Sequence, residues 1–171
     1  GMNAEGNRYR GFLYAGVMID ADGTPKTLEY NCRFGDPETQ PIMMRLRSDL
    51  AQMCLAAING KLDTVETDWD PRASLGVVLA AGGYPADYPK GDVISGLDSV
   101  LPAHQKVFQA GTALKGSKVV TNGGRVLCAV SLGDTVADAQ AGAYDVVKKL
   151  SWDKVYFRTD IGHRAIAREQ K

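Results

Sequence analysis

Glu29, Asn31 and Arg33 occupy alternate positions in the stretch LEYNCRFGDPETQP, residues 28–41. In a strand, whose side chains repeat every two residues, all three would point to one face. A carboxylate and a carboxamide oxygen at that spacing are hard ligands. They suit Mg2+ or Mn2+ rather than zinc, because no His or Cys joins them. Magnesium commonly takes one or two protein ligands and fills its shell with water and phosphate oxygens, so the pair is enough for a nucleotide–metal site. Arg33 adds a planar fork able to grip a phosphate or carboxylate through two bonds. Asp36 opens a helix start whose exposed N–H groups favour anions. Two plainer readings stand beside these: the wet face of a half-buried sheet for the three side chains, and helix capping for Asp36.

The elements that must position these groups can be read from the surrounding pattern. FLYAGVMID (12–20) is apolar on both alternating faces and predicts a strand buried from both sides; Asp22-Gly23 predicts a hairpin turn. Lys26 to Phe34 is the returning strand, with Leu28, Tyr30, Cys32 and Phe34 on the face opposite the polar set. Asp36 as N-cap and Pro37 as first helical residue predict one helix running to about Leu55–Asn59, through Ile42, Leu46, Leu50, Met53, Ala57 and Ile58.

The polar segment NGKLDTVETDWDPR (59–72) is the expected boundary between two lobes, 1–68 and 69–171. Strands are expected over 75–81, 106–114 and 118–132. A helix follows over 135–150 with Asp134 as its cap, and VYFRTDIGHRAI reads as a last strand or ordered tail. Asn122-Gly123-Gly124-Arg125 reads as a turn or bulge, GGYPADYPKG as a structured loop, and His104 and His163 as structural residues. The fold class is α+β.

Composition narrows the partners. Twenty basic residues balance twenty acidic ones, so no global field recruits nucleic acid or an anionic membrane. No apolar run reaches the roughly 20 residues that span a bilayer. Three scattered cysteines, with no Cys-x-x-Cys pair, fit thiols kept reduced in the cytoplasm.

The runs GFLYAGVMID, LEYNCRFGDPETQPIMMRL, GVVLAAGGYP, FQAGT, TNGGRVL and DIGHRAI resemble the C-terminal portion of the phosphoribosylamine–glycine ligase family, ATP-grasp enzymes of purine synthesis. The resemblance covers essentially the whole chain. It implies the tail of an ATP-grasp domain (1–68) followed by a small β-rich domain with a packed helix (69–171), the family's N-terminal part lying outside this sequence. It further implies ATP, glycine and 5-phosphoribosylamine as substrates and Mg2+ or Mn2+ on Glu29 and Asn31. Arg33 would stand near the acyl phosphate or departing phosphate, and Asp36 near an amine-bearing substrate. A monomer or homodimer is expected. One departure stands out: many ATP-grasp relatives place another metal carboxylate in the middle of the preceding strand, where FLYAGVMID has none before Asp20. Another ATP-grasp carboxylate–amine ligase or carboxylase, and a catalytically silent, self-associating module, are the competing readings.

Overall fold

The computed structural model describes residues 1–170, and the chain divides into two units, residues 1–39 with 46–69, and 40–45 with the chain from Asp70 onward.

In the first unit, β1 (Tyr14–Ile19) and β2 (Pro25–Asn31) form an antiparallel hairpin. Its turn is closed by the Asp20 N–H on the Thr24 carbonyl (3.0 Å), the Gly23 N–H on the Asp20 carbonyl (3.0 Å) and the Thr24 N–H on Asp22 Oδ1 (2.9 Å). Two expectations need correction. The hairpin is not buried on both faces: Val17 and Met18, adjacent and therefore on opposite faces, are 47% and 54% exposed, and Leu28 is 66% exposed. The hairpin forms a two-stranded sheet on its own, and among the described residues of this unit no apolar side chain is buried. Nor does β2 reach Phe34; it ends at Asn31, and the chain bends at Cys32–Arg33.

The single long helix is also corrected. Asp36 and Pro37, joined by a cis peptide, lie in a turn, and α1 (Thr39–Arg45) begins only where the Thr39 N–H and hydroxyl both reach the Gly35 carbonyl (3.2 and 2.6 Å). Asp36 is therefore not its N-cap, nor Pro37 its first residue. After Arg45 the helix breaks, and α2 (Leu50–Ile58) starts afresh. Asp49 caps it, Oδ1 accepting the N–H groups of Ala51 (2.8 Å) and Gln52 (3.2 Å), which offers the backbone an alternative to continuing the first helix. The break is held open by Leu46, which pairs with Trp69, and by the Arg47 N–H on the Asp68 carbonyl (3.0 Å).

The second unit contains the whole hydrophobic core. β3 (Ala73–Ala80), β4 (Gln105–Gln109) and β7 (Arg125–Gly133) form an antiparallel sheet in the order β3-β7-β4, and β5 (Thr112–Lys115) pairs with β6 (Lys118–Thr121). The two long strands expected over 106–114 and 118–132 each break in two, at Ala110-Gly111 and at Asn122–Gly124. There the two backbones touch: a Cβ on Gly111 would lie 2.6 Å from the Gly123 Cα. The Gly-Gly segment is thus a strand break, in line with its reading as a turn or bulge.

α3 (Val136–Val147) lays Ala139, Ala143, Val146 and Val147 onto Leu75, Val77, Leu79, Leu127 and Ala129. Its cap is Thr135 and not Asp134. The Thr135 hydroxyl accepts the Asp138 N–H (3.0 Å) and the Asp138 carboxylate accepts the Thr135 N–H (3.2 Å), a reciprocal pair that Asp134 could not make. The end of the chain carries α4 (His163–Glu169) where a strand or tail was expected; a lone bridge, Ala80 to Tyr156, is the extended remnant. Asp70 closes this unit's start: its carboxylate accepts Arg72 Nε (2.9 Å) and Nη2 (2.7 Å), and its N–H meets the Arg45 carbonyl (2.7 Å). Among the described residues no helix is long and apolar enough to cross a membrane.

Candidate active site

The hairpin register decides what surrounds the polar set. Pairing runs from Ile19–Pro25 to Val17–Thr27, then steps to Gly16–Glu29 and Tyr14–Asn31, leaving Leu28 as an extra residue in β2. This bulge turns Glu29 and Asn31 onto the face of β1 that carries Gly16 and Tyr14. Without it, Glu29 would face Ala15. Gly16 supplies room, since a methyl built there would lie 3.1 Å from Glu29 Cγ and 3.7 Å from the Tyr14 ring.

Arg33 lies beyond the end of β2 and folds back. Its Nη2 reaches Asn31 Oδ1 at 3.4 Å and its Nη1 donates to the Phe34 carbonyl at 2.9 Å. Glu29, Asn31 and Arg33 are thereby gathered. Asp36 is exposed in the turn ahead of α1.

Two residues that sequence reasoning left out of the site join it. The Tyr14 hydroxyl donates to Glu38 Oε1 at 3.3 Å. Glu38 and the Tyr14 ring both crowd Gly35, where an added Cβ would clash with Glu38 Oε2 and lie 2.9 Å from the ring. The Glu38 charge, then burial, the bond to Glu38 and the Glu29 charge hold the Tyr14 phenol above its ordinary range, while the Arg33 charge works the other way. Tyr14 is thus neutral at physiological pH and placed between two carboxylates. The signal available in the sequence was Glu38 itself, a carboxylate directly after Asp36-Pro37 and close in sequence to the polar set.

Among the described residues no three His, Cys, Asp or Glu side chains gather closely enough to hold a metal ion. A magnesium-type cation does not require three. One carboxylate and one amide oxygen on a shared face fit it, with phosphate and water completing the shell, and they do not fit zinc. A cation at Asn31 Oδ1 would compete with the guanidinium of Arg33 for the same oxygen.

A separate cleft of about 310 Å3 in the first unit is lined mainly by Phe12, Leu50, Met53, Cys54, Ala57 and Ile58. It is mostly apolar, and the one charged side chain in its lining, Arg10, donates to the Ile58 carbonyl.

A hairpin with a polar face leads through a tight turn into a helix, an α+β unit follows, and the class this defines is that of ATP-grasp enzymes. The first 39 residues match the ATP-grasp (A) domain of phosphoribosylglycinamide synthetase, and residues 74–164, more than half of the chain, match its C domain. The chain belongs to the phosphoribosylglycinamide synthetase family. It is 68% identical, over all 171 residues, to the phosphoribosylamine–glycine ligase of Vibrio vulnificus, and 64% identical over 170 residues to that of Pseudomonas putida. It spans 40% and 39% of those two proteins. Among solved structures, the phosphoribosylamine–glycine ligase of Thermotoga maritima matches 93% of this chain and 39% of its own at 40% identity, with a TM-score of 0.77. The urea amidolyase of Kluyveromyces lactis, at 18% identity and a TM-score of 0.57, shares the fold alone.

Proposed function

We propose that this chain is part of an ATP-dependent ligase that joins glycine to 5-phosphoribosylamine. The observation carrying this reading is the match along the entire chain to proteins named for that reaction. The gathering of Glu29, Asn31 and Arg33 supports it from the side of the geometry. Residues 1–68 would be the tail of the ATP-grasp domain and 69–171 the C-terminal domain.

The reaction requires ATP to phosphorylate the glycine carboxylate, after which the amine of 5-phosphoribosylamine attacks the acyl phosphate and phosphate departs. Charge accumulates on oxygens throughout, so fixed positive groups must face them. Glu29 and Asn31 would hold Mg2+ or Mn2+, which supplies neutralisation of the phosphate oxygens when bound. Arg33 would pair with the acyl phosphate or the departing phosphate, its fork matching phosphate geometry. Asp36 would hold the amine-bearing substrate. The enzyme would work in the cytoplasm, as a monomer or homodimer, on small molecules and without nucleic acid or membrane.

The test is ADP release in magnesium, glycine and freshly generated phosphoribosylamine. It compares the 171-residue chain alone with a chimaera in which it replaces the matching portion of the Vibrio vulnificus enzyme. The chain alone is expected to be silent, because the remainder of the nucleotide pocket lies outside it. The chimaera should turn over only with both substrates and stop with Glu29→Gln. Glycine-dependent turnover by the isolated chain, or a chimaera indifferent to Glu29→Gln, would overturn this reading.

A further inference from the structure

We propose that Tyr14 is a positioning residue of this site: its hydroxyl fixes Glu38, and its ring, running between Gly35 and Gly16, sets the spacing of Glu38 and Glu29. The proposal rests on Glu29 and Asn31 forming the active face.

Three observations converge on it. The β2 bulge brings Tyr14 opposite Asn31 and Gly16 opposite Glu29, so Tyr14 is the one aromatic side chain of β1 and belongs to the polar face. The Tyr14 ring crowds Gly35 and lies in van der Waals reach of Gly16, and each glycine leaves the room that a carboxylate side chain occupies: Glu29 Cγ at Gly16 and Glu38 Oε2 at Gly35. The hydroxyl is committed to Glu38 Oε1, which leaves Oε2 as that carboxylate's second acceptor. A ring with two glycine gaps at its edges is a rigid spacer, because an aromatic side chain has only two torsions to fix. Glu38, half-buried in the turn that leads to α1, is by this means drawn to the hairpin rather than left to solvent.

Holding two negative side chains at a set separation raises the energy of the empty site and prepares it for cationic or hydrogen-bond-donating groups. Loss of the hydroxyl leaves substrate binding largely intact while loosening a geometry needed when charge moves. The signature is a fall in kcat with little change in KM.

The experiment uses the chimaera described above, with Tyr14→Phe, Glu38→Gln, their double variant and Gly35→Ala. Tyr14→Phe and Glu38→Gln are each expected to lower kcat by about tenfold, with KM for ATP and glycine within about twofold. The double variant should fall no further than the weaker single one, because the two residues act through one contact. Gly35→Ala, whose methyl would displace Glu38 and the ring together, should give the same kinetic pattern. The urea midpoint of the isolated chain should not move with Tyr14→Phe. An active, Glu29-dependent chimaera whose Tyr14→Phe variant keeps the parental kcat, or whose two losses multiply, would refute this proposal and leave the ligase reading standing. A fall in activity matched by a fall in the urea midpoint would make Tyr14 a structural residue and refute it equally. A chimaera without activity would sink both.

Discussion

Replacing Gly16 with alanine should pull activity and stability in opposite directions. The added methyl would lie 3.1 Å from Glu29 Cγ, whereas carbon atoms settle at about 3.5–4.0 Å, so the Glu29 stem must retreat by about half an ångström. Displacing a reacting geometry by about 1 Å can cost about a hundredfold in rate, so half that distance should lower kcat by about tenfold. Stability should rise or stay level. Gly16 sits in a strand with no left-handed backbone requirement, and exchanging such a glycine for alanine typically gains about 0.5–1 kcal/mol by restricting the unfolded chain. The assay is steady-state ADP release by the chimaera, paired with urea unfolding of the same protein. Unchanged kcat would show that the close contact at Gly16 does not set the place of Glu29. Activity and stability falling together would refute the argument differently, since the methyl would then be disrupting the hairpin as a whole.

Leu127, 1% exposed, faces Leu79 across β3 and β7 with β4 on its other side and α3 above, so a cavity there cannot collapse. Leu127→Ala should therefore cost about 4 kcal/mol, and Leu114→Ala, at a side chain 77% exposed, less than about 0.5 kcal/mol, both read from urea midpoints; equal costs would contradict the core assignment. Asp160 and Asp145 are held below the ordinary carboxylate range, chiefly by hydrogen bonds from Arg158 and Lys148. A lowered folded-state value means that their contribution is present above the ordinary carboxylate value and fades as pH falls through the depressed one. The Asp145→Asn, Asp160→Asn double variant should lose less stability than the parent on acidification, and an identical acid limb in both would dismiss these pairs. Thiol titration should label exposed Cys32 first and buried Cys128 only on unfolding; early labelling of Cys128 would contradict the packing of β7.

Much of the architecture was legible because it is local. Asp22-Gly23 specified a hairpin, the 3.6-residue spacing of Ala139, Ala143 and Val146 specified the packed face of α3, and alternation put Glu29 and Asn31 together. Asp49 as a cap with Gln52 three residues on was also present in the sequence, but it was hidden inside an apolar pattern that runs unbroken from Ile42 to Ile58. Periodicity registers faces and does not register a backbone that leaves the helix for four residues to pair with a distant segment.

That Glu29 and Asn31 share one face of β2 was determined by the sequence alone, since a period of two needs no partner, whereas Arg33 lies past the end of the strand and meets Asn31 only because its side chain folds back. What lies beside them was decided only by tertiary pairing. The bulge at Leu28 shifts the register by one, so that Gly16 and Tyr14, rather than Ala15, share their face. Pattern cannot foresee that shift, because an extra residue leaves the alternation of Glu29, Asn31 and the residues between them untouched. The same holds for Glu38, which reaches Tyr14 across 24 residues of chain through a turn whose path depends on Gly35 having no side chain.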